Sequence, residues 1–244
     1  MSTMKTIRAL GLNDLRNVRR DQLLGWMMLV PLLYGIMIRW LVPLITANIA
    51  FDLEPYYPVI LGFFGLMAPI LFGMVIGFLL LDERDDGTLL AMRVSPLSLG
   101  SYLFYKLFMP SVLSIFMTVA VYAIAGLMPL DLNAVLPAAL VAALEAPLWA
   151  LLLATFANNK VQGFALLKGG AGVFLVLPIG AYFIGYPWQM VFWIFPPYWP
   201  VKVYWQLVAG APAWPYVLGG ILFHMILLAV LLRAYRAKLA RTAS

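Results

Sequence analysis

Six long apolar runs dominate this sequence, and short polar segments separate them. A helix needs about 20 apolar residues to cross the hydrocarbon core of a bilayer, and every run is close to that length or longer. We therefore predict an all-α polytopic membrane protein, with residues 1–244 forming a single transmembrane domain of six transmembrane helices. The predicted spans are 23–42, 58–81, 102–128, 135–156, 163–185 and 215–232.

Composition supports this fold class and excludes several functions. The chain of 244 residues is 64% hydrophobic and 11% charged, whereas soluble domains are roughly 25% charged. The absence of cysteine excludes disulfides, thiolate nucleophiles and zinc–thiolate sites. The sequence also lacks the G-x-x-x-x-G-K-[ST] pattern that binds the phosphates of ATP. We therefore expect no enzyme activity and no cofactor on this chain.

The basic residues indicate which loops face the cytoplasm. Fourteen of the 16 Lys and Arg residues lie in the N-terminal segment, in or beside the loops that follow the second and fourth runs, and in the C-terminal tail. Cytoplasmic loops of membrane proteins are enriched in Lys and Arg, so both termini should be cytoplasmic. This distribution accounts for the net charge of +6 without nucleic acid as a partner.

The first 21 residues combine five basic side chains with apolar side chains at helical spacing. This pattern is typical of an amphipathic helix that lies in the membrane interface. A basic tail that merely keeps the N-terminus in the cytoplasm is the alternative. We predict an interfacial helix over residues 1–21.

Residues 186–214 are apolar and aromatic but are interrupted by five prolines. Neither half is long enough to cross the bilayer, so we predict two short helices, over 188–195 and 201–208, that enter the outer leaflet and return. This re-entrant hairpin requires its broken backbone to be buried in protein. An aromatic belt at the membrane interface would account for the tryptophans equally well.

Small residues mark the faces along which the predicted spans can approach one another. Gly73 and Gly77 lie four residues apart in the second span, and alanine recurs at every fourth position from 138 to 154 in the fourth. Helices in membranes pack closely along such ridges.

The segment 82–98, between the second and third runs, begins with five consecutive charged residues. Gly87 then allows a tight turn, and Thr88 can cap the N-terminus of a short amphipathic helix. Ser95 and Pro96 pair a capping hydroxyl with a proline suited to the first turn, so the next helix can begin there. We predict a short helix that lies parallel to the membrane on its cytoplasmic side.

This segment resembles the coupling segment of the ABC type-2 exporter permeases. In that family E-R-[DE]-x-G-T-L, followed a few residues later by [ST]-P, forms a coupling helix that sits in a groove of a separate ATPase subunit. The chain differs at Leu90, where the family often has an acidic residue, and at Met92, where it often has leucine. The alternative is that the segment has no coupling function, because any cytoplasmic loop between two spans carries charges, a glycine and a proline. The resemblance assigns to ATPase coupling Glu83, Arg84, Gly87, Thr88, Leu89, Met92, Ser95 and Pro96.

The resemblance implies the membrane subunit of an ATP-driven exporter in the cytoplasmic (inner) membrane of a prokaryote. Such a subunit works as a homodimer or beside a similar permease, together with two copies of an ATPase subunit that binds ATP and Mg²⁺. Within that family, the segments ERDDGTLLAMRVSP and PPYWP most resemble those of permeases described as fluoroquinolone exporters. The implied activity is multidrug efflux of a drug-like or amphipathic substrate.

Two ionisable residues lie near the middle of predicted spans. An ionised carboxylate at that depth costs about 3 kcal/mol on insertion scales, so Glu145 should be protonated, paired or exposed to water. His224, the single histidine, could form a proton relay with Glu145, or a polar patch for a cationic or zwitterionic substrate. Hydrogen bonds between helices would satisfy both residues without a role in transport. Two other functions remain open: a proton-coupled secondary carrier that uses this pair, and a non-transporting immunity or sensor subunit.

Because the chain has no cysteine, single cysteines can test the topology directly. Arg93→Cys should react with an impermeant thiol reagent only after the cells are opened, since residue 93 is expected in the cytoplasm. Asp131→Cys, in a predicted outer turn, is the control and should react in intact cells. Labelling of Arg93→Cys in intact cells would contradict the topology.

Overall fold

The structure is a computed structural model that describes residue 16 and residues 21–49, 51–87 and 99–241. In this part of the chain every regular element is helical and no strand occurs. Five of its helices are long and apolar enough to cross a membrane, or six if one bent pair counts as a single span. The all-α membrane fold is therefore confirmed. The predicted interfacial helix over 1–21 lies almost entirely outside the described residues, as do residues 88–98 of the predicted coupling segment.

The first long helix starts at a side-chain cap. Helix α1 (Gln22–Asn48) follows Asp21, whose carboxylate accepts hydrogen bonds from two backbone N–H groups of the first turn. This cap satisfies two of the four N–H groups that a helix start leaves unpaired. A short 3-10 helix (Glu54–Tyr56) then leads into helix α2 (Tyr57–Asp85).

The next three helices are α3 (Leu99–Ala125), α4 (Leu132–Ala142) and α5 (Glu145–Phe156). The fourth predicted span, 135–156, is thus interrupted between α4 and α5, although the two together still form one candidate span. Pro147 explains the interruption, because it has no N–H to donate to the carbonyl of Ala143 and its ring crowds that carbonyl. The N–H of Ala146 donates to this carbonyl instead, at 3.3 Å.

The fifth predicted span, 163–185, is not one continuous helix. It consists of helix α6 (Lys160–Leu166), a π-helix (Leu167–Ala171), helix α7 (Gly172–Val176) and a 3-10 helix (Leu177–Tyr182). Glycine weakens a helix interior, and Gly169 and Gly172 lie in and beside the π-helix. The helical parts on either side meet at 45°, so the region qualifies as a sixth span only as a bent pair.

The segment 186–214 contains two short helices, as the sequence predicts. They are a 3-10 helix (Trp188–Ile194) and helix α8 (Tyr198–Val208). Trp199 and Trp205 are buried, and Trp205 Nε1 donates to a carbonyl at the start of α2 at 3.0 Å, so these two pack inside the protein. Trp188 and Trp214 are exposed, as an interfacial belt would require. Entry of the two helices into the outer leaflet stays a prediction.

Helix α2 lies at the centre of the described fold. It packs against α1, α3, α5 and α8 and is mostly buried. The last helix, α9 (Trp214–Arg241), extends well beyond the predicted span 215–232 and packs against α5 and α8. Helices α1, α3 and α9 expose broad apolar faces. Such faces suit contact with lipid chains.

Small residues bring α2 and α5 into close contact. A Cβ atom on Gly73 would lie 2.3 Å from the carbonyl oxygen of Ala146, and one on Gly77 would lie 2.9 Å from the side chain of Leu153. The predicted alanine ridge is also buried. Both observations confirm that these small residues mark packed helix faces. The alanines of the ridge are Ala138, Ala142, Ala146, Ala150 and Ala154.

Gly73→Ala should destabilise the protein, because the added methyl group would collide with the backbone of α5. Overpacking of this kind costs about 1–3 kcal/mol, which corresponds to a fall in Tm of roughly 3–10 °C. The measurement is thermal unfolding of the detergent-solubilised protein. Gly169→Ala is the control, since no described atom lies within 4 Å of the new methyl group. Equal Tm values for the two variants would contradict the proposed packing.

Candidate functional site

The structure brings Glu145 and His224 together. Glu145 lies in the first turn of α5, directly after the interruption of the fourth predicted span, and His224 lies in α9. His224 Nε2 is 3.2 Å from Glu145 Oε1, and both side chains are fully buried. The contact fits both hypotheses, a joint role in transport and a hydrogen bond between helices without such a role.

Hydrogen bonding determines how many protons the pair holds. His224 Nδ1 lies 2.7 Å from the carbonyl oxygen of Gly220, which can only accept, so Nδ1 carries a proton. The contact between Nε2 and Glu145 Oε1 is a hydrogen bond when one proton lies between these two atoms. The pair is therefore either a neutral imidazole with a protonated carboxyl group or an imidazolium with a carboxylate. Its net charge is zero in both forms.

Trp149 completes the surroundings of the Glu145 carboxyl group. It lies four residues further along α5, on the same helix face, and its Nε1 donates to Glu145 Oε2 at 3.0 Å. Both carboxyl oxygens thus have a partner, which reduces the cost of burying the group within the membrane. The geometry fits a stable contact between α5 and α9, and it leaves the pair with one transferable proton.

A cavity of about 580 Å³ lies beside Glu145. Such a volume is typical of sites for drug-sized ligands, which run from about 300 to 1,000 Å³. Among the described residues that line it, Glu145 alone is ionisable, and the rest of the wall is almost entirely apolar. The described residues contain no cluster of His, Asp and Glu that could hold a metal ion. The wall includes Trp149, Leu152, Phe156, Phe174, Leu227 and Leu231.

A second apolar groove, of about 700 Å³, runs between α3 and α9. Phe104, Phe108 and Leu228 contribute to its wall, and Arg236 lies at one end. No acidic side chain is present among its described lining residues. Of the two, the cavity beside Glu145 is therefore the better candidate for a ligand that carries a positive charge.

The carboxylate of Glu83 faces the interior of the fold. It is buried between α2 and α3, with Lys106 Nζ 2.7 Å from its Oε1 and the hydroxyl of Tyr102 donating to its Oε2. A buried ion pair of this kind requires both partners, since removal of one leaves an uncompensated charge. The predicted contact of Glu83 with an ATPase stays a prediction, and its described partners belong to this chain.

The neighbours of Glu83 also bind within this end of the bundle. Arg84 donates to the carbonyl oxygen of Asn158, which lies just after α5. Lys160 at the start of α6 lies 2.9 Å from Asp82 Oδ2 and 2.6 Å from Asp21 Oδ2. Residues from the predicted cytoplasmic segments therefore meet at one end of the bundle.

Asp21 is held in its charged form. Burial acts to raise the pKa of Asp21, but the hydrogen bond from Lys160 and the backbone N–H groups of Leu24 and Leu23 outweigh burial and lower that pKa below its ordinary value. A lowered folded-state pKa contributes stability above the ordinary value, and the contribution is lost as the pH falls below about 4. The ion pair with Lys160 is thus present at neutral pH.

Gly87 adopts a backbone conformation that favours glycine. Its φ is +70°, in the left-handed region, and it follows α2 by two residues. This observation confirms that the chain turns at Gly87 through a conformation that glycine adopts without strain. The remaining predicted coupling residues lie outside the described residues: Thr88, Leu89, Met92, Ser95 and Pro96.

Sequence patterns could have found some of the partners and not others. Trp149 lies four residues after Glu145, a spacing that places both on one helix face. Lys106 lies at the start of the span that follows Glu83. Lys160 and Asp21 are 139 positions apart, and no local pattern relates positions so distant.

A family model described as "Fluoroquinolones export permease protein Rv2686c-like" matches residues 14–232. The chain belongs to this family. Membership in an export permease family, together with the long apolar helices, establishes a multi-pass membrane protein. It also confirms the resemblance to exporter permeases seen in the sequence.

Two relatives from Mycobacterium tuberculosis cover nearly the whole of this family member. They are the fluoroquinolones export permease proteins MT2760 (strain CDC 1551 / Oshkosh) and Rv2686c (strain ATCC 25618 / H37Rv). Each is 35% identical over 240 residues, which amount to 96% of this chain and 95% of the relative. No solved structure matches the chain.

Glu145→Ala should destabilise this permease more than Glu145→Gln. Alanine leaves Trp149 Nε1 and His224 Nε2 without partners, at about 1–3 kcal/mol for each buried group. Glutamine can accept from Trp149 and donate to His224, and it retains the volume of the side chain. Thermal unfolding in detergent should rank the wild type and Glu145→Gln together, well above Glu145→Ala. An alanine variant as stable as the glutamine variant would exclude the hydrogen-bond network described here.

Proposed function

We propose that this chain is the transmembrane permease subunit of an ATP-driven ABC exporter that moves drug-like, amphipathic compounds out of the cell. The observation that carries the proposal is the match to the export permease family over residues 14–232. The names of the two relatives make fluoroquinolones the first compounds to test. The E-R…G-T-L…S-P pattern of segment 82–98 supports ATP as the source of energy.

The proposed ATPase is a separate polypeptide. This sequence lacks a phosphate-binding loop, so ATP and Mg²⁺ bind to the partner. Two ATPase copies act with two permeases, either two copies of this chain or this chain beside a similar permease. The excess of Lys and Arg in the termini and in two loops supports a cytoplasmic position for both termini and for segment 82–98, in the inner membrane of a prokaryote.

The cavity beside Glu145 is the proposed substrate pathway. Its apolar and aromatic wall suits the apolar body of an amphipathic compound, and its volume of about 580 Å³ is in the range for drug-sized ligands. Glu145 supplies the ionisable group of the wall, and His224 contacts Glu145 without lining the cavity. When the two residues share one proton, movement of that proton to His224 places a carboxylate beside a cationic substrate.

The same pair supports a second candidate function, a proton-coupled secondary carrier. Its single transferable proton, buried within the bundle, is the feature that such a carrier requires. In this alternative the energy enters at Glu145 and His224, and segment 82–98 has no ATPase to bind. Changes at the turn formed by Gly87 should therefore affect transport by an ATP-driven exporter and leave transport by a proton-coupled carrier unaffected.

Gly87→Val tests the ATP-driven function. Valine is a β-branched residue that disfavours the φ of +70° at this turn, so the segment that follows should be misdirected. Gly87→Asn is the matched control, because asparagine tolerates the left-handed region. ATPase activity that depends on this permease should fall about tenfold in Gly87→Val and about twofold or less in Gly87→Asn. A tenfold fall corresponds to an increase of about 1.4 kcal/mol in activation free energy, and a twofold fall to an increase of about 0.4 kcal/mol.

The assay uses the permease purified with the ATPase that accompanies it, reconstituted in proteoliposomes, with a fluorescent fluoroquinolone as the transport probe. Gly87 lies beyond the end of α2, so both variants should insert normally. Efflux should decline in parallel with the ATPase activity. Unchanged ATP-dependent efflux in Gly87→Val would contradict the coupling role of this segment.

A further inference from the structure

The last turn of α2 is bound on three sides at once. Successive residues of an α-helix point about 100° apart, so Asp82, Glu83 and Arg84 face three different directions. Each makes a charged contact with a different part of the fold. These three residues are the first of segment 82–98 and belong to α2, and the chain turns away from the helix at Gly87. The turn is therefore positioned to link that segment to several spans.

The three contacts reach three different places. Glu83 binds Lys106 and Tyr102 on α3, and Arg84 binds the carbonyl oxygen of Asn158 just after α5. The third residue, Asp82, binds Lys160 at the start of α6, and Lys160 also binds the cap of α1.

The contact with α3 is the most enclosed of the three. The Lys106 ammonium is fully buried and the Glu83 carboxylate nearly so, whereas Lys160 is partly exposed. Buried ion pairs are weakly screened by salt and have defined geometry, whereas exposed ones are screened and mobile. Of the three contacts, the one between Glu83 and Lys106 should hold its partner helix most rigidly.

We propose that Asp82, Glu83 and Arg84 are positioning residues that make the end of α2 a rigid junction. Through this junction a displacement of the chain beyond Gly87 moves α3, the end of α5 and the start of α6 together. Without it, the same displacement would be absorbed by local motion between α2 and its neighbours. The inference rests on the proposed function, because it requires an ATPase that pushes on the segment.

The double variant Glu83→Gln/Lys106→Met separates this role from a merely structural one. Removing one charge of a buried pair leaves the other uncompensated, whereas replacing both is often neutral for stability. The double variant should therefore unfold near the wild-type temperature. Transport of the fluorescent probe per ATP hydrolysed should still fall about threefold or more, within the range by which mutations between two sites alter their coupling. A double variant with wild-type Tm and wild-type transport per ATP would overturn the junction.

Arg84→Gln and Arg39→Gln form a matched pair that remains informative if the double variant unfolds. Both arginines bind a backbone carbonyl near the end of a helix. Arg84, within segment 82–98, binds that of Asn158 just after α5, and Arg39 binds that of Ile124 near the end of α3. Arg84→Gln should lower transport per ATP about threefold, and Arg39→Gln should leave this ratio unchanged even where it lowers Tm.

Equal transport per ATP in the two arginine variants would overturn the junction. The measurement uses the wild-type complex of permease and ATPase in proteoliposomes as its reference. Absence of ATP-dependent transport by that wild-type complex would overturn the proposed function, and the junction with it. Normal wild-type transport with unaffected Glu83 and Arg84 variants would overturn the junction alone.

Discussion

The close contact between α2 and α5 is the interaction on which the rest of the structure depends. Apolar side chains gain little from leaving lipid for the protein interior, so membrane helices associate through close packing and hydrogen bonds. Gly73 provides that packing, because its missing side chain lets the backbone of α5 approach at Ala146. Ala146 adjoins Glu145, and Asp82 lies nine residues beyond Gly73, or about 14 Å along the helix. One contact therefore positions both candidate sites relative to each other.

Much of this architecture could be predicted from the sequence, because a bilayer imposes simple requirements. Apolar length identified the spans, small residues at four-residue spacing identified the packed faces, and the order of residues around Gly87 identified a glycine-dependent turn. The interruption before Glu145 was not predicted, although Pro147 could have indicated it. The bent region over 163–185 was also missed, since apolar length does not report whether a helix is continuous.

The candidate sites show where local patterns stop being informative. Charged residues at the end of a span usually meet water or headgroups, so no local pattern indicated that Glu83 would face inward. Its partner Lys106 becomes evident only when α2 and α3 are packed side by side. Similarly, Glu145 and His224 were each recognisable as costly in a membrane, but their 3.2 Å contact depends on how α5 and α9 cross.

Two features of the fold offer different routes for energy. The proposed junction at the end of α2 connects the turn at Gly87 to several helices, as an ATP-driven exporter requires. Glu145, beside the cavity of about 580 Å³, can share a proton with His224, as a proton-driven carrier requires. In the proposed exporter, the pair serves the substrate and the junction serves the ATPase.

The energy source of the wild-type complex tests this account most directly. Inside-out membrane vesicles that contain the permease and its ATPase expose the cytoplasmic surface, so export appears as uptake of the fluorescent probe. We predict uptake that requires hydrolysable ATP and continues when a protonophore abolishes the pH gradient. Uptake driven by an imposed pH gradient in the absence of ATP, and abolished by the protonophore, would contradict the account.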